Sequence, residues 1–301
     1  MIDVRGLTKR YGPETVVDDL SFTVEAGQVT GFLGPNGAGK STTMRMIIGL
    51  ARPDQGSVTV AGRRYADLPV PLVEVGALLD AGAVHGGRTA YDHLLALAVS
   101  NGLPRRRVGE VLARTGLEGV ARKRAGGFSL GMRQRLGIAA TLLGDPRILI
   151  FDEPVNGLDP EGIRWVRDLM RSLAAEGRAV LVSSHLMGEM AQTADHLIVI
   201  GRGRLIADTA VSELTRTSEG TVLVRVTDPG AFAQRLVAAG ATVRDGLESS
   251  LVVSGMGAAD IGKLAAYHGV ALVELTPQRV TLEDAFMELT RDSVEYQGVA
   301  A

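Results

Sequence analysis

The sequence contains no cysteine. That excludes disulfides, thiolate metal sites and cysteine nucleophiles, and it suits a reducing compartment. Long hydrophobic runs are absent too: no uninterrupted apolar stretch reaches the roughly 18–20 residues of a membrane span. The opening Met1-Ile2-Asp3-Val4-Arg5 lacks the apolar core of a signal peptide. The chain is therefore expected to be cytoplasmic, with any membrane connection made through a partner. Neither sign of charge dominates, since 32 Lys and Arg stand against 34 Asp and Glu. Nothing draws such a chain generally to nucleic acid or anionic lipid, and no nucleic-acid partner is expected. Lysine is confined to Lys9, Lys40, Lys123 and Lys263, which makes Lys40 conspicuous. Internal repeats and low-complexity segments are missing as well.

What is present fills 301 residues, enough for one or two domains with full cores. From Met1 to about Thr30 apolar and polar residues alternate around turns at Gly12-Pro13 and Ala26-Gly27, which predicts antiparallel strands. Val29 to Leu33 reads as a short buried strand, followed by a glycine-rich loop and a helix from Lys40. Val58 to Val60 reads as a further strand. Helical spacing then prevails from Thr89 to about Leu143, with Tyr91, Leu94, Leu95 and Ala98 on one face and a second helix starting near Pro104. Ile148–Phe151 and Val180–Ser183 are apolar runs of strand length, separated by a helix with Ile163, Val166, Leu169, Met170 and Leu173 on one face. The alternation argues for an α/β core with a parallel sheet. Beyond about Glu213–Gly220 the order becomes strand, helix, strand, strand, helix, strand over Thr221 to Glu274, which predicts a ferredoxin-like unit. A last helix is expected over Leu282 to Leu289.

Gly34-Pro35-Asn36-Gly37-Ala38-Gly39-Lys40-Ser41 fits the G-x-x-x-x-G-K-[ST] pattern. The glycines let successive N–H groups point at phosphates, and the following helix aims its positive end at the same place. Lys40 can reach the β- and γ-phosphates, Ser41 can ligate Mg²⁺, and Thr42 can donate to the α-phosphate. Further on, Ile148-Leu149-Ile150-Phe151-Asp152-Glu153 is an apolar strand ending in two carboxylates. Beside a phosphate loop, Asp152 suits the metal and Glu153 suits the polarising of an attacking water.

Between these motifs stands Ser129-Leu130-Gly131-Met132-Arg133-Gln134. Ser129 is a good N-cap for a helix running through Ala140. At this point the sequence resembles the ATP-binding subunits of ABC transporters. The resemblance implies that Ser129, Gly131 and Gln134 contact ATP held by an opposite subunit. It also implies that Tyr11 stacks on adenine, with Val16 lining the same pocket. Asp159, within Gly157-Leu158-Asp159-Pro160, then belongs to the loop that crosses the dimer interface, and with Pro160 it also makes an N-cap and first turn. His185 matches the switch histidine that contacts the γ-phosphate. Asp80 occupies the place where the family usually has glutamine, and an acid there can still serve Mg²⁺ or water. The segment Leu275 to Phe286 is similar to the C-terminal extension of ATPases that pair with ABC-2-type permeases in drug and antibiotic exporters.

The expected architecture is an ABC ATP-binding domain over residues 1–215, with an antiparallel β subdomain and a helical subdomain over about 80–143. A ferredoxin-like extension follows over 216–301. The implied activity is hydrolysis of Mg-ATP by two copies packed head to tail, a homodimer or a heterodimer. Lys40, Glu153 and His185 carry the chemistry, and Ser41, Asp80 and Asp152 serve the metal. A separate membrane permease at the inner face of the cell membrane would be the partner. A soluble ABC ATPase uncoupled from transport is the alternative. The C-terminal unit has two open roles, binding a ligand or stabilising the dimer.

Overall fold

The computed structural model describes residues 1–184, 187–217, 221–246, 250–278, 282–283 and 286–287. Alternating side chains build the first layer. Strand β1 (Ile2–Tyr11) buries Ile2, Val4 and Leu7, and β2 (Glu14–Val24) pairs with it antiparallel. Strand β3 (Val29–Leu33) is buried at every position, and α1 (Lys40–Ile47) follows the glycine loop. Strand β4 (Gln55–Val60) returns to the free edge of β1, giving a three-stranded antiparallel sheet of order β2-β1-β4. The expected strand Val58–Val60 thus begins three residues earlier.

The short helix α2 (Pro71–Glu74) leads into β5 (Val75–Leu78). Three helices come next: α3 (Ala90–Ser100), α4 (Arg106–Arg114) and α5 (Leu130–Thr141). The chain continues through β6 (Ile148–Asp152), α6 (Pro160–Ala175), β7 (Ala179–Ser183), α7 (Met187–Thr193), β8 (His196–Gly201) and β9 (Arg204–Ala210). The larger sheet has the order β5-β6-β7-β3-β8-β9. Its first five strands run parallel, and β9 closes the edge antiparallel to β8. Parallel strands covered on both faces need apolar residues at every position rather than at alternate ones. In keeping with this, β3 and β7 are buried at every position and are mostly apolar.

This topology sets three strand ends side by side. Strand β7 lies between β6 and β3, and all three point the same way. Leu33, Asp152 and Ser183 therefore end neighbouring strands at one edge, where open α/β sheets receive ligands. Between the two sheets Phe22 and Phe32 meet with ring centroids 5.3 Å apart, in a core shared with Met44, Ile148 and Leu181. Each such large side chain contributes roughly 1.5–3 kcal/mol by leaving water.

The chain's contacts divide after Ala210. The second unit opens with α8 (Val211–Thr217) and continues through β10 (Thr221–Val226), α9 (Pro229–Ala238), β11 (Thr242–Asp245), β12 (Leu251–Ser254), α10 (Ala258–Tyr267) and β13 (Leu272–Gln278). Its antiparallel sheet has the order β11-β12-β10-β13. Phe232, Leu236 and Ile261 from the two longer helices pack on Val222, Val224 and Val253. Of the helix expected over Leu282–Leu289, only Leu282, Glu283, Phe286 and Met287 fall among the described residues. Among the described residues, no helix is long and apolar enough to cross a membrane.

Candidate functional site

The glycine loop leaves the end of β3 and turns back on itself before α1. At Gly34 a Cβ would stand 2.5 Å from the carbonyl oxygen of Ile200, so only glycine passes there. Gly39 has φ near 99°, and a Cβ on it would meet the Val16 carbonyl oxygen at 2.7 Å. Glycine at that place opens α1 with no side chain to cap it. The first N–H groups of the helix are left for a ligand, and they carry the positive end of the helix dipole.

Lys40 curls into the loop. Its Nζ donates to the carbonyl oxygens of Gly34 at 2.5 Å and Pro35 at 3.1 Å. Burial pushes its pKa below the usual lysine range, while the carboxylates of Glu153 and Asp152 pull it back up. A cation is thereby held among backbone dipoles, with two acids close enough to favour its charge.

Asp152 and Glu153 face this loop from the end of β6. One open cavity of about 260 Å³ is lined by loop residues 36–42, Val16, Asp152 and Glu153. Seven consecutive residues of the glycine loop and the start of α1 thus share one space with both acids, and Lys40, Ser41 and Thr42 are among them. Gly34 and Pro35 stand behind it as acceptors for Lys40. Glu153 adopts a positive φ of 50°, a strained setting for a residue with a side chain. The fully buried Ser183 bridges the two acids: its hydroxyl donates to Asp152 Oδ1 at 2.5 Å and accepts from the Glu153 N–H at 2.9 Å. Sequence reasoning passed over Ser183. Its only signal was a hydroxyl at the end of an apolar strand, and its relevance depends on the register that pairs Asp152 with Ser183.

The other predicted residues fall elsewhere. Tyr11 is half exposed at the end of β1 with Lys9 Nζ 5.3 Å from its ring centroid, and it is outside the cavity lining. Asp80 lies two residues past β5, exposed, accepting the Gly82 N–H at 2.6 Å. It too is outside the lining. Ser129 caps α5 by accepting the Met132 N–H at 3.2 Å. Gly131 faces Leu158, whose Cδ2 would be 3.3 Å from a Cβ. Asp159 caps α6 by accepting the Gly162 N–H at 2.8 Å. Gln134, expected among the nucleotide contacts, instead turns inward and donates to the Pro154 carbonyl oxygen at 2.7 Å. Gln134 stands five residues past the Ser129 cap, which at about 3.6 residues per turn puts it on a different face of α5: Ser129 is exposed and Gln134 is buried. His185 lies outside the described residues.

Oxygen donors suited to Mg²⁺ are present in the cavity, as the Ser41 hydroxyl and the Asp152 carboxylate. Among the described residues no group of three or more His, Cys, Asp or Glu could hold a metal ion. A hard cation bound by few protein oxygens and completed by phosphates is the usual setting of magnesium rather than of a protein-caged metal.

Comparison with known proteins gives two family matches. Residues 17–156 match a family described as ABC transporter, and residues 220–283 match a domain of unknown function, DUF8746. The uncharacterized ABC transporter ATP-binding protein YhcH of Bacillus subtilis is 35% identical, over 98% of this chain and 97% of its own length. The bacitracin transport ATP-binding protein BcrA of Bacillus licheniformis is 34% identical, over 96% of this chain and 97% of its own. Among solved structures, an ATP-binding subunit of an ABC transporter superposes with a TM-score of 0.66 at 30% identity, covering 72% of this chain and 92% of that one.

Proposed function

The chain belongs to the ABC transporter ATP-binding proteins, and we propose that the cavity between its glycine loop and its acidic strand end hydrolyses ATP to drive export. The observation that carries the mechanism is the shared cavity: Lys40, Ser41, Asp152 and Glu153 all line it. The loop N–H groups and Lys40 would take the β- and γ-phosphates. Ser41 and Asp152 would hold magnesium, which when bound neutralises charge on the phosphate oxygens. Glu153 would orient and polarise the attacking water, with His185 as its partner at the γ-phosphate. Val16 would contact the base, and Tyr11 would reach it from the rim.

In-line phosphoryl transfer needs positioning and charge stabilisation more than covalent help. One copy supplies only one side of the site. Ser129 and Gly131 sit at the exposed start of α5, away from the cavity lining of their own chain. A second copy packed head to tail would bring them over the nucleotide, with Asp159 at the crossing. Hydrolysis would then depend on dimerisation.

The substrate is proposed to be a drug-like or antibiotic-like small molecule, by analogy with BcrA, which is a bacitracin transport protein. The path would be built by a separate ABC-2-type permease at the inner face of the membrane, with Asp80 and the helical subdomain as the meeting place. Two experiments test these readings. Glu153→Gln should bind ATP and turn it over very slowly, and wild-type turnover would remove Glu153 from the mechanism. Mild detergent extraction of the tagged protein should recover a multi-spanning membrane protein; recovery from the soluble fraction alone would defeat the export reading.

A further inference from the structure

We propose that Ser183 is a positioning residue for the metal-binding carboxylate, fixing Asp152 and the Glu153 backbone with one hydroxyl. This rests on the roles assigned above to Asp152 and Glu153. Ser183 ends β7, directly opposite Asp152 in the parallel register. It is fully buried. A serine hydroxyl has one proton, and here the proton goes to Asp152 Oδ1. The Ser183 Oγ accepts from the Glu153 N–H, so the donor direction is settled by geometry: an N–H cannot accept.

Two consequences follow. The hydroxyl requires an acceptor, and Ser183 thereby occupies one of the two Asp152 carboxyl oxygens. The other oxygen is left to serve a cation. At the next residue, Glu153 holds a positive φ that a side chain resists. The bond to its N–H anchors that turn and so aims the Glu153 side chain at the cavity it lines. Removing the hydroxyl frees the carboxylate to rotate and takes away the oxygen to which the Glu153 N–H donates. Hydrogen bonds to charged groups lie at the strong end of the range, which corresponds to roughly 10- to 100-fold in an equilibrium constant.

The test uses the full chain with a fluorescent ATP analogue, titrated in EDTA and then with rising magnesium, beside magnesium-dependent hydrolysis. In Ser183→Ala, binding in EDTA should match the wild type, because the glycine loop is untouched. The magnesium needed for half-maximal effect should rise roughly tenfold or more on both readouts, and kcat should fall. Ser183→Thr keeps the hydroxyl and should restore the wild-type magnesium response. Ser183→Cys, a weak donor of similar size, should fall between. A wild-type magnesium response in Ser183→Ala overturns the proposal. Asp152→Asn separates the two levels of inference. If it loses the magnesium response while Ser183→Ala keeps it, only the role of Ser183 falls. If it too behaves as wild type, the metal role of Asp152 falls and the Ser183 proposal with it.

Discussion

Gln134, the fifth residue of α5, donates its side-chain amide to the carbonyl oxygen of Pro154, one residue beyond Glu153. The bond is buried and joins two segments with different proposed duties. The helix capped by Ser129 is thereby tied to the loop that follows Glu153. Gln134→Ala should leave the Pro154 carbonyl buried without that donor, at about 1–3 kcal/mol. In a domain of this size that lowers Tm by a few degrees. Hydrolysis should fall further than nucleotide binding does, because the loop after Glu153 loses its anchor while the glycine loop is untouched. Thermal unfolding and steady-state hydrolysis check both statements. An unchanged kcat would mean that the bond is structural only.

A second tie lies on the other side of Ser129. The Gly126 N–H donates to the Gly86 carbonyl oxygen at 3.0 Å, and the Ala125 N–H donates to the Arg88 carbonyl oxygen at 2.9 Å. The segment after Asp80 is thus clasped to the segment before the α5 cap. A Cβ on Gly126 would stand 2.9 Å from the Gly86 oxygen, tighter than real contacts allow. Gly126→Ala should part the two segments and speed hydrogen exchange at residues 124–126 and 86–88. Nucleotide affinity of the isolated subunit should not change. Gly127→Ala is the control, since a Cβ there meets nothing within 4 Å. Equal exchange in the two variants would sink the idea of a clasp.

The glycine loop and the acidic strand were legible in the sequence because their chemistry depends on short-range order. Gly34, Gly39 and Lys40 are a few residues apart, and a loop between a strand and a helix places them by itself. Ser183 was not legible for the opposite reason. It lies thirty-one residues from Asp152, and only the pairing of β6 with β7 brings them together. The strands β8 and β9 were passed over, although Leu197–Ile200 is an apolar run of the same kind as Ile148–Phe151. In the second unit the order of elements could be read, while the last strand, expected to end at Glu274, runs on to Gln278. Strand ends depend on cross-strand partners that a local pattern does not contain. The inward turn of Gln134 was hidden in the same way, since its partner Pro154 comes from another element.

The scarcity of lysine makes Lys40 directly observable. Reductive methylation with a carbon-13 label gives signals from Lys9, Lys40, Lys123, Lys263 and the N-terminus. Lys40 should titrate below the usual lysine range, because burial opposes its charge. Glu153 is the larger of the two groups acting in the opposite sense. Glu153→Gln should therefore lower the Lys40 pKa further, and Asp152→Asn should do so by less. A rise in either variant would show that the acids do not act on this ammonium.

His93, on α3, offers a test of stability rather than of chemistry. Its Nδ1 is enclosed without a hydrogen-bond partner among the described residues. Burial, aided by the neighbouring Arg88 and His85, holds its pKa below the ordinary histidine value of 6.5. The sign follows from proton counting. As pH falls through about 6.5, the unfolded chain takes up a proton that the folded chain refuses, so the unfolded state gains. The stability associated with neutral His93 is therefore present above that pH and lost below it. Urea midpoints of the wild type should drop between pH 7.5 and 5.5. His93→Gln keeps a polar side chain of similar reach but cannot titrate, so its midpoint should drop less over the same interval. Parallel curves for the two proteins would show that another group carries the acid sensitivity, and that His93 accepts its proton in the folded state as readily as in the unfolded one.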